Sequence, residues 1–164
     1  MSRGIPPFET FLEQHRRLVY RFLAVAVGPA DADDVFQETF VAALKAYPRL
    51  AEGERIDRWI LRIASRKAID HHRGARRRPL PVRDVPEGAT PEPTPVAIDT
   101  SDAIWEAVWE LPPRQRVAVV HRHVLDRPYA EIGALMECSV ATARAHVSQG
   151  TKRLRELMTW NSKT

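Results

Sequence analysis

Two sets of residues in this chain have the chemistry to hold nucleic acid, and a third suits a basic protein surface. The first set lies near the C-terminus. Gln149 can pair with adenine through its amide, and Arg144 can reach guanine or a phosphate. Lys152, Arg153 and Arg155 suit the backbone, while Ala141 and Ala145 allow close approach and could touch a thymine methyl. Residues 140–164 carry five basic side chains and one acidic one. The second set is Arg55, Arg58, Arg62 and Arg66, at helical steps of 3, 4 and 4, which makes one ridge. Residues 54–78 hold nine basic side chains against three acidic ones, the densest positive charge in the chain. Trp59 lies beside the ridge. It can stack a base or pack in a core, and its apolar neighbours favour the core. The third set is Asp31, Asp33, Asp34 and Glu38. Part of that charge serves a helix dipole, but four carboxylates exceed that need. A solvated charged face is the plain alternative for each set.

These residues must be positioned by helices. Phe8, Phe11, Leu12, Val19, Phe22, Leu23 and Ala26 recur at three- and four-residue steps and predict a helix over 8–27, ended by Gly28-Pro29. Asp31 is expected to cap a second helix running to about Tyr47, with Val35, Phe36, Thr39, Phe40, Ala43, Leu44 and Tyr47 on its apolar face. A third spans about 56–73, with Ile56, Trp59, Ile60, Ile63 and Ile69 apolar. Three helices in about 70 residues make a bundle. Six of the 13 prolines fall between Gly74 and Ser101, where helical periodicity is lost. That stretch reads as a linker.

Beyond it, Ile104, Val108 and Leu111 mark one helix, and Val117, Val120, Val124 and Leu125 a second. Pro128 suits the first position of a third, which carries Ile132, Leu135 and Met136. Glu137-Cys138-Ser139 makes a tight break with Ser139 as N-cap, and a last helix runs from Val140 to about Met158. Short helix, tight turn and longer helix form a helix-turn-helix. On the last helix Val140, Ala143, Val147, Gly150, Leu154 and Leu157 form one stripe. At about 100° per residue, Ala141, Ala145, Ser148, Gln149 and Lys152 lie farthest from it. Arg144 and His146 sit on its shoulders. The expected fold is therefore all-α. A helical bundle (1–73) and a helix-turn-helix domain (102–164) are joined by a Pro-rich linker (74–101).

The totals narrow the function. Net charge is +4 and pI about 9.6, which favours an acidic partner such as nucleic acid. A single cysteine, Cys138, excludes an internal disulfide and fits a reducing compartment. No stretch is apolar enough for a signal peptide or a span, so a cytoplasmic protein without membrane insertion is expected. A Gly-rich phosphate loop and a nucleophile elbow are both missing, and the acids crowd a helix start, so no enzyme is expected. His121 and His123 diverge by about 200° on a helix, and adjacent His71 and His72 also diverge, so neither a metal nor another cofactor is expected.

The motifs resemble those of a known family. Asp31-Ala-Asp-Asp-Val-Phe-Gln-Glu-Thr-Phe40, with Trp59-Ile-Leu-Arg-Ile-Ala64 and Ala68-Ile-Asp-His-His-Arg73, resembles region 2 of bacterial sigma factors. Leu111-Pro-Pro-Arg-Gln-Arg116, Tyr129-Ala-Glu-Ile-Gly133 and Ser139-Val-Ala-Thr142 resemble region 4. Having only these two regions is the pattern of the extracytoplasmic-function (ECF) group, which serves stress responses. The resemblance implies that Asp31, Asp34, Gln37 and Glu38 grip the β′ clamp helices of core RNA polymerase. It implies that the loop 48–57 and the helix after it open and read the single-stranded −10 element, through Arg55, Arg58, Trp59, Arg62, Ser65, Arg66, Lys67 and Arg73. Duplex −35 DNA would meet Arg127, Tyr129, Thr142, Arg144, Ala145, His146, Ser148, Gln149, Lys152 and Arg153. Region 4 would also dock on the β flap, and an anti-sigma factor would cover these surfaces. The free protein is expected to be monomeric. Two departures stand out. Ala64-Ser65-Arg66 replaces the usual Ala-Arg-Asn, and Ala141-Thr-Ala-Arg-Ala-His146 replaces Gly-Thr-Val-Lys-Ser-Arg. The alternative is a two-domain repressor or activator that binds duplex DNA without polymerase.

Overall fold

The computed structural model describes residues 4–75 and 102–161, and among them every regular element is helical. The N-terminal unit contains α1 (Phe8–Ala26), α2 (Pro29–Ala46) and α3 (Ile56–Ala75), with a 3₁₀ turn at Tyr47–Arg49. The C-terminal unit contains α4 (Asp102–Trp109), α5 (Pro113–Val119), α6 (Tyr129–Met136) and α7 (Val140–Asn161). A π-helical turn at Val120–Val124 continues α5.

The apolar spacing of α1 produces its burial. Phe11, Val19, Phe22, Leu23 and Ala26 are sealed against Val35, Phe40 and Ala43 of α2 and Ile60, Leu61 and Ala64 of α3. An aromatic cluster closes one end: the rings of Phe11 and Trp59 lie 5.8 Å apart, and those of Phe11 and Tyr47 5.2 Å. Such pairs contribute about 0.5–1.5 kcal/mol each beyond area burial. Leu44 departs from expectation at 53% exposed, because α1 and α3 together do not reach around that side of α2.

The start of α2 also differs. Asp31 does not cap it. Gly28, with φ +91°, is the N-cap and Pro29 takes the first helical position, while the N–H groups of Asp31 and Ala32 donate to the Gly28 carbonyl. Proline pre-sets φ for the first turn, so the helix begins three residues earlier, with its cap at Gly28 instead of Asp31. Asp31 instead faces His71 of α3, at 3.3 Å.

α3 continues to Ala75, through the first two residues assigned to the linker. Residues 76–101, the remainder of that linker, lie outside the described residues. Pro128 stands one position before α6 rather than in it. In the helix-turn-helix, Glu137 adopts φ +56° and Ser139 Oγ accepts from the Thr142 N–H at 3.0 Å, as expected of an N-cap. Gly133 is required here by close approach, since a Cβ would sit 2.9 Å from the Cys138 carbonyl oxygen. Ala143 and Val147 of α7 are buried beneath α5 and α6. Val140, expected on the same stripe, is 44% exposed, because it opens the helix beyond the edge of α6.

The two units pack against each other. α3 lies on α5 and α6, and α1 lies on the π turn.

Candidate nucleic-acid interface

α7 presents its predicted face to solvent. Thr142, Arg144, Ala145, Ser148, Gln149, Lys152 and Arg153 are all exposed, above buried Ala143 and Val147. This follows from the sequence: alanines and short polar residues alternate with the narrow apolar stripe. Around the start of the helix, the Tyr129 ring meets two guanidinium groups, Arg122 at 4.5 Å and Arg144 at 5.1 Å from its centroid. Two cations on one ring give a positive surface of fixed shape. Gln149 Oε1 accepts from Gln115 Nε2 at 3.3 Å, so its amide is part-oriented before any DNA arrives. His146 is half-buried. Burial and then the nearby Arg114 charge lower its pKa, which keeps it neutral near pH 7 and removes it as a cationic contact. Arg127 is drawn inward and pairs with Glu131 at 2.9 Å.

The arginine ridge of α3 is different. Arg55 is exposed and pairs with Asp57 at 3.0 Å, within its own unit. Arg58 Nε donates to Glu131 of α6 at 3.0 Å. Arg66 pairs with Glu137 in the turn of the helix-turn-helix. Among the described residues, Arg62 alone of the four makes no ion pair, and it is exposed. Lys67 is half-buried, and Arg73 lies on the same helix. Two members of the expected site are drawn inward. Trp59 is 8% exposed, because the aromatic cluster claims its ring, and so it presents no face to a base in this arrangement. Ser65 is fully buried; its hydroxyl donates to the Leu61 carbonyl at 2.6 Å. An acceptor in the preceding turn satisfies it locally.

Most of what holds the units together was not legible in the sequence. His121, fully buried on the π turn, lies 2.8 Å from Ser65 Oγ and stacks on Phe22 of α1 with ring centroids 4.6 Å apart. The Trp109 indole donates to the Val25 carbonyl at 3.0 Å, beside the Gly28 corner. Arg116 is buried and donates to the Ala26 carbonyl at 3.3 Å, to Leu111 at 3.0 Å and to Trp109. A guanidinium at the end of α1 meets carbonyls that the helix itself cannot satisfy. Together these contacts lay α6 along the ridge, so two of its four arginines are already paired across the seam.

The acidic start of α2 remains open. Asp33, Asp34, Gln37 and Glu38 are exposed, with Val41 and Leu44 following on the outer surface. Asp31 is half-buried beside His71. Among the described residues no group of His, Cys, Asp or Glu could hold a metal ion, and no helix is long and apolar enough to cross a membrane.

Comparison with known proteins covers both units. The model of Sigma-70 region 2 matches residues 11–78, and that of Sigma-70 region 4 matches 101–154. The chain is 30% identical over 152 residues to the ECF RNA polymerase sigma factor SigC of Mycobacterium tuberculosis, covering 89% of this chain and 80% of that one. It is 33% identical over 161 residues to the RNA polymerase sigma factor CarQ of Myxococcus xanthus, covering 92% and 88%. Its fold is similar to that of the sigma factor RpoE of Bartonella quintana, solved in complex with the anti-sigma factor NepR. That match has a TM-score of 0.68 and 18% identity, with 93% and 96% of the two chains covered.

Proposed function

The chain belongs to the extracytoplasmic-function group of the sigma-70 family and is an RNA polymerase sigma factor; from that premise we propose how its surfaces divide the work. Residues 1–73 form the unit that binds core polymerase and the −10 element, 74–101 connect, and 102–164 read the −35 element. The exposed acidic start of α2, centred on Asp34, Gln37 and Glu38 with Asp31 behind them, binds the β′ clamp helices. Carboxylates there meet a basic partner, and Val41 and Leu44 supply apolar area at its margin.

The observation that carries the −35 assignment is the face of α7. Seven of the ten expected contact residues stand exposed on this one helix, with the apolar stripe beneath. Thr142, Arg144, Ala145, Ser148 and Gln149 enter the major groove, while Lys152 and Arg153 hold the backbone. Arg127, Tyr129 and His146 support this face from its edge. Tyr129 fixes the Arg144 guanidinium, which lowers the ordering cost when it meets a guanine or phosphate. The −10 strand is taken by Arg55, Arg58, Arg62, Arg66, Lys67 and Arg73, with Trp59 and Ser65 available only if the unit rearranges. Arg58 and Arg66 must exchange Glu131 and Glu137 for phosphates, so strand binding requires α6 to leave α3. An anti-sigma factor acts by holding these surfaces covered.

Run-off transcription tests the proposal, using purified core polymerase and a library of genomic promoters. Initiation that depends on this chain and on both promoter elements is expected. Duplex binding without core-dependent initiation would leave only a stand-alone helix-turn-helix regulator.

A further inference from the structure

The seam between the units contains a titratable group in an unusual position. His121 is fully buried on the π turn. The Ser65 hydroxyl gives its proton to the Leu61 carbonyl, so toward His121 it can only accept. His121 Nε2 therefore carries a proton and donates. Its other ring nitrogen, Nδ1, is buried without a hydrogen-bond partner among the described residues. The ring is neutral and sealed on Phe22, and a second proton on Nδ1 would find no acceptor among the described residues.

The charges around it agree. Arg127, from the loop before α6, is the nearest and repels a cation. Asp57 and Arg58 of α3 and Glu131 of α6 also line this part of the seam, but they pair with Arg127 and with one another: Arg127 lies 2.9 Å from Glu131 and 3.9 Å from Asp57, and Arg58 lies 3.0 Å from Glu131. On the α1 side the ring meets Phe22. Among the described residues, the carboxylates that line this part of the seam are already paired with arginines. Burial, and then Arg127, lower the pKa of His121 to about 3.

We propose that this seam is a proton-operated clasp. His121 closes region 4 onto region 2 only as the neutral imidazole, and its protonation releases α6 from α3 and uncovers the arginine ridge. The sign follows from linkage. In the open chain the imidazole meets water and returns toward its ordinary pKa of about 6.5. Protons therefore bind the open form in preference, and the closed form loses ground as pH falls from about 6.5 toward about 3. Each pH unit below about 6.5 shifts the equilibrium toward opening roughly tenfold. His146 lies within region 4 on α7, beside Arg114.

The DNA arm of the test rests on the −10 assignment of α3; the shape arm does not. The full chain is followed between about pH 7.5 and about pH 5.5 by small-angle scattering, and by affinity for a fluorescent pool of single-stranded DNA. The wild type should expand and gain roughly tenfold in strand affinity across that range. His121→Gln should do neither, while His123→Gln, exposed on the same turn, should behave as wild type. Expansion without a gain in affinity would keep the clasp and remove the ridge from strand binding. Equal pH responses in wild type and His121→Gln would overturn the clasp. Because His121→Gln could loosen the fold, histidine NMR of the wild type supplies an independent check. The His121 ring should resist protonation until the chain expands. Titration near its ordinary value in a chain that stays compact would equally overturn the proposal.

Discussion

Helices α3 and α7 each carry arginines at helical spacing beside an apolar stripe, yet they end in opposite situations. Among the described residues, the polar face of α7 is exposed, and Gln115 and Tyr129 reach it at Gln149 and Arg144. Two of the four arginines on the α3 ridge are held across the seam by Glu131 and Glu137, and His121 meets Ser65 beside them. Charge density does not separate them, since the denser segment is the covered one. The difference lies in what each helix meets: α7 spends its apolar stripe on α5 and α6 and keeps its polar face free, whereas α3 is clasped on a second side. A basic ridge is thus a capacity for binding, and packing decides when it is available.

The contrast can be broken most forcefully at the surface shared by neither helix. Replacing Asp34 and Glu38 together by lysine should weaken core binding by about 2 kcal/mol or more, roughly thirtyfold in Kd, as expected for a hot spot. Anisotropy on −35 duplex should leave the same variant unchanged. Equal losses in both would remove α2 from polymerase binding.

Next in size is Gly133→Ala. A Cβ there meets a backbone oxygen that cannot move cheaply, so a loss of about 1–3 kcal/mol in stability is expected. Thermal melting should report it, with duplex binding and the seam weakened together because α6 serves both. Gln149→Ala should cost about 1–3 kcal/mol against one −35 base and little against the others, read by competition among duplexes. A uniform loss would make it a positioning contact.

The smallest effect belongs to Arg66 and Glu137, whose pair is about half exposed. Glu137→Gln should favour opening by only about 0.2–1 kcal/mol, and the exchanged pair Arg66→Glu with Glu137→Arg should restore closure. Scattering of the free chain measures both.

What was legible in the sequence follows from the range of each interaction. Periodicity within one helix placed α1, α2 and α3 within a few residues, and the 100° step identified the face of α7 that is exposed. Val140 and Leu44 were misjudged because periodicity says which side is apolar, not whether a neighbour reaches it. The seam was out of reach for a deeper reason. Ser65 and His121 are 56 positions apart, and Ala26 and Arg116 are 90. Neither pair leaves a local pattern. A trace existed in Arg116 and His121, which flank the apolar run Val117-Ala-Val-Val120. A polar residue at the edge of a buried run must find a partner, but the partner's identity belongs to the tertiary structure.

On the −10 assignment proposed for α3, Glu131 and Glu137 occupy the places on Arg58 and Arg66 that phosphates of a strand would take. In the closed chain these two guanidinium groups are already paired with carboxylates and so displace no condensed cations from a phosphate backbone. Since released ions drive most non-specific attachment to nucleic acid, the clasped chain gives up about two phosphate contacts' worth of that drive. Its grip on random strands should accordingly fall less steeply with salt than that of an opened variant. On that assignment, the two glutamates would hold these two arginines back from the bulk nucleic acid of a cell until polymerase and promoter are met.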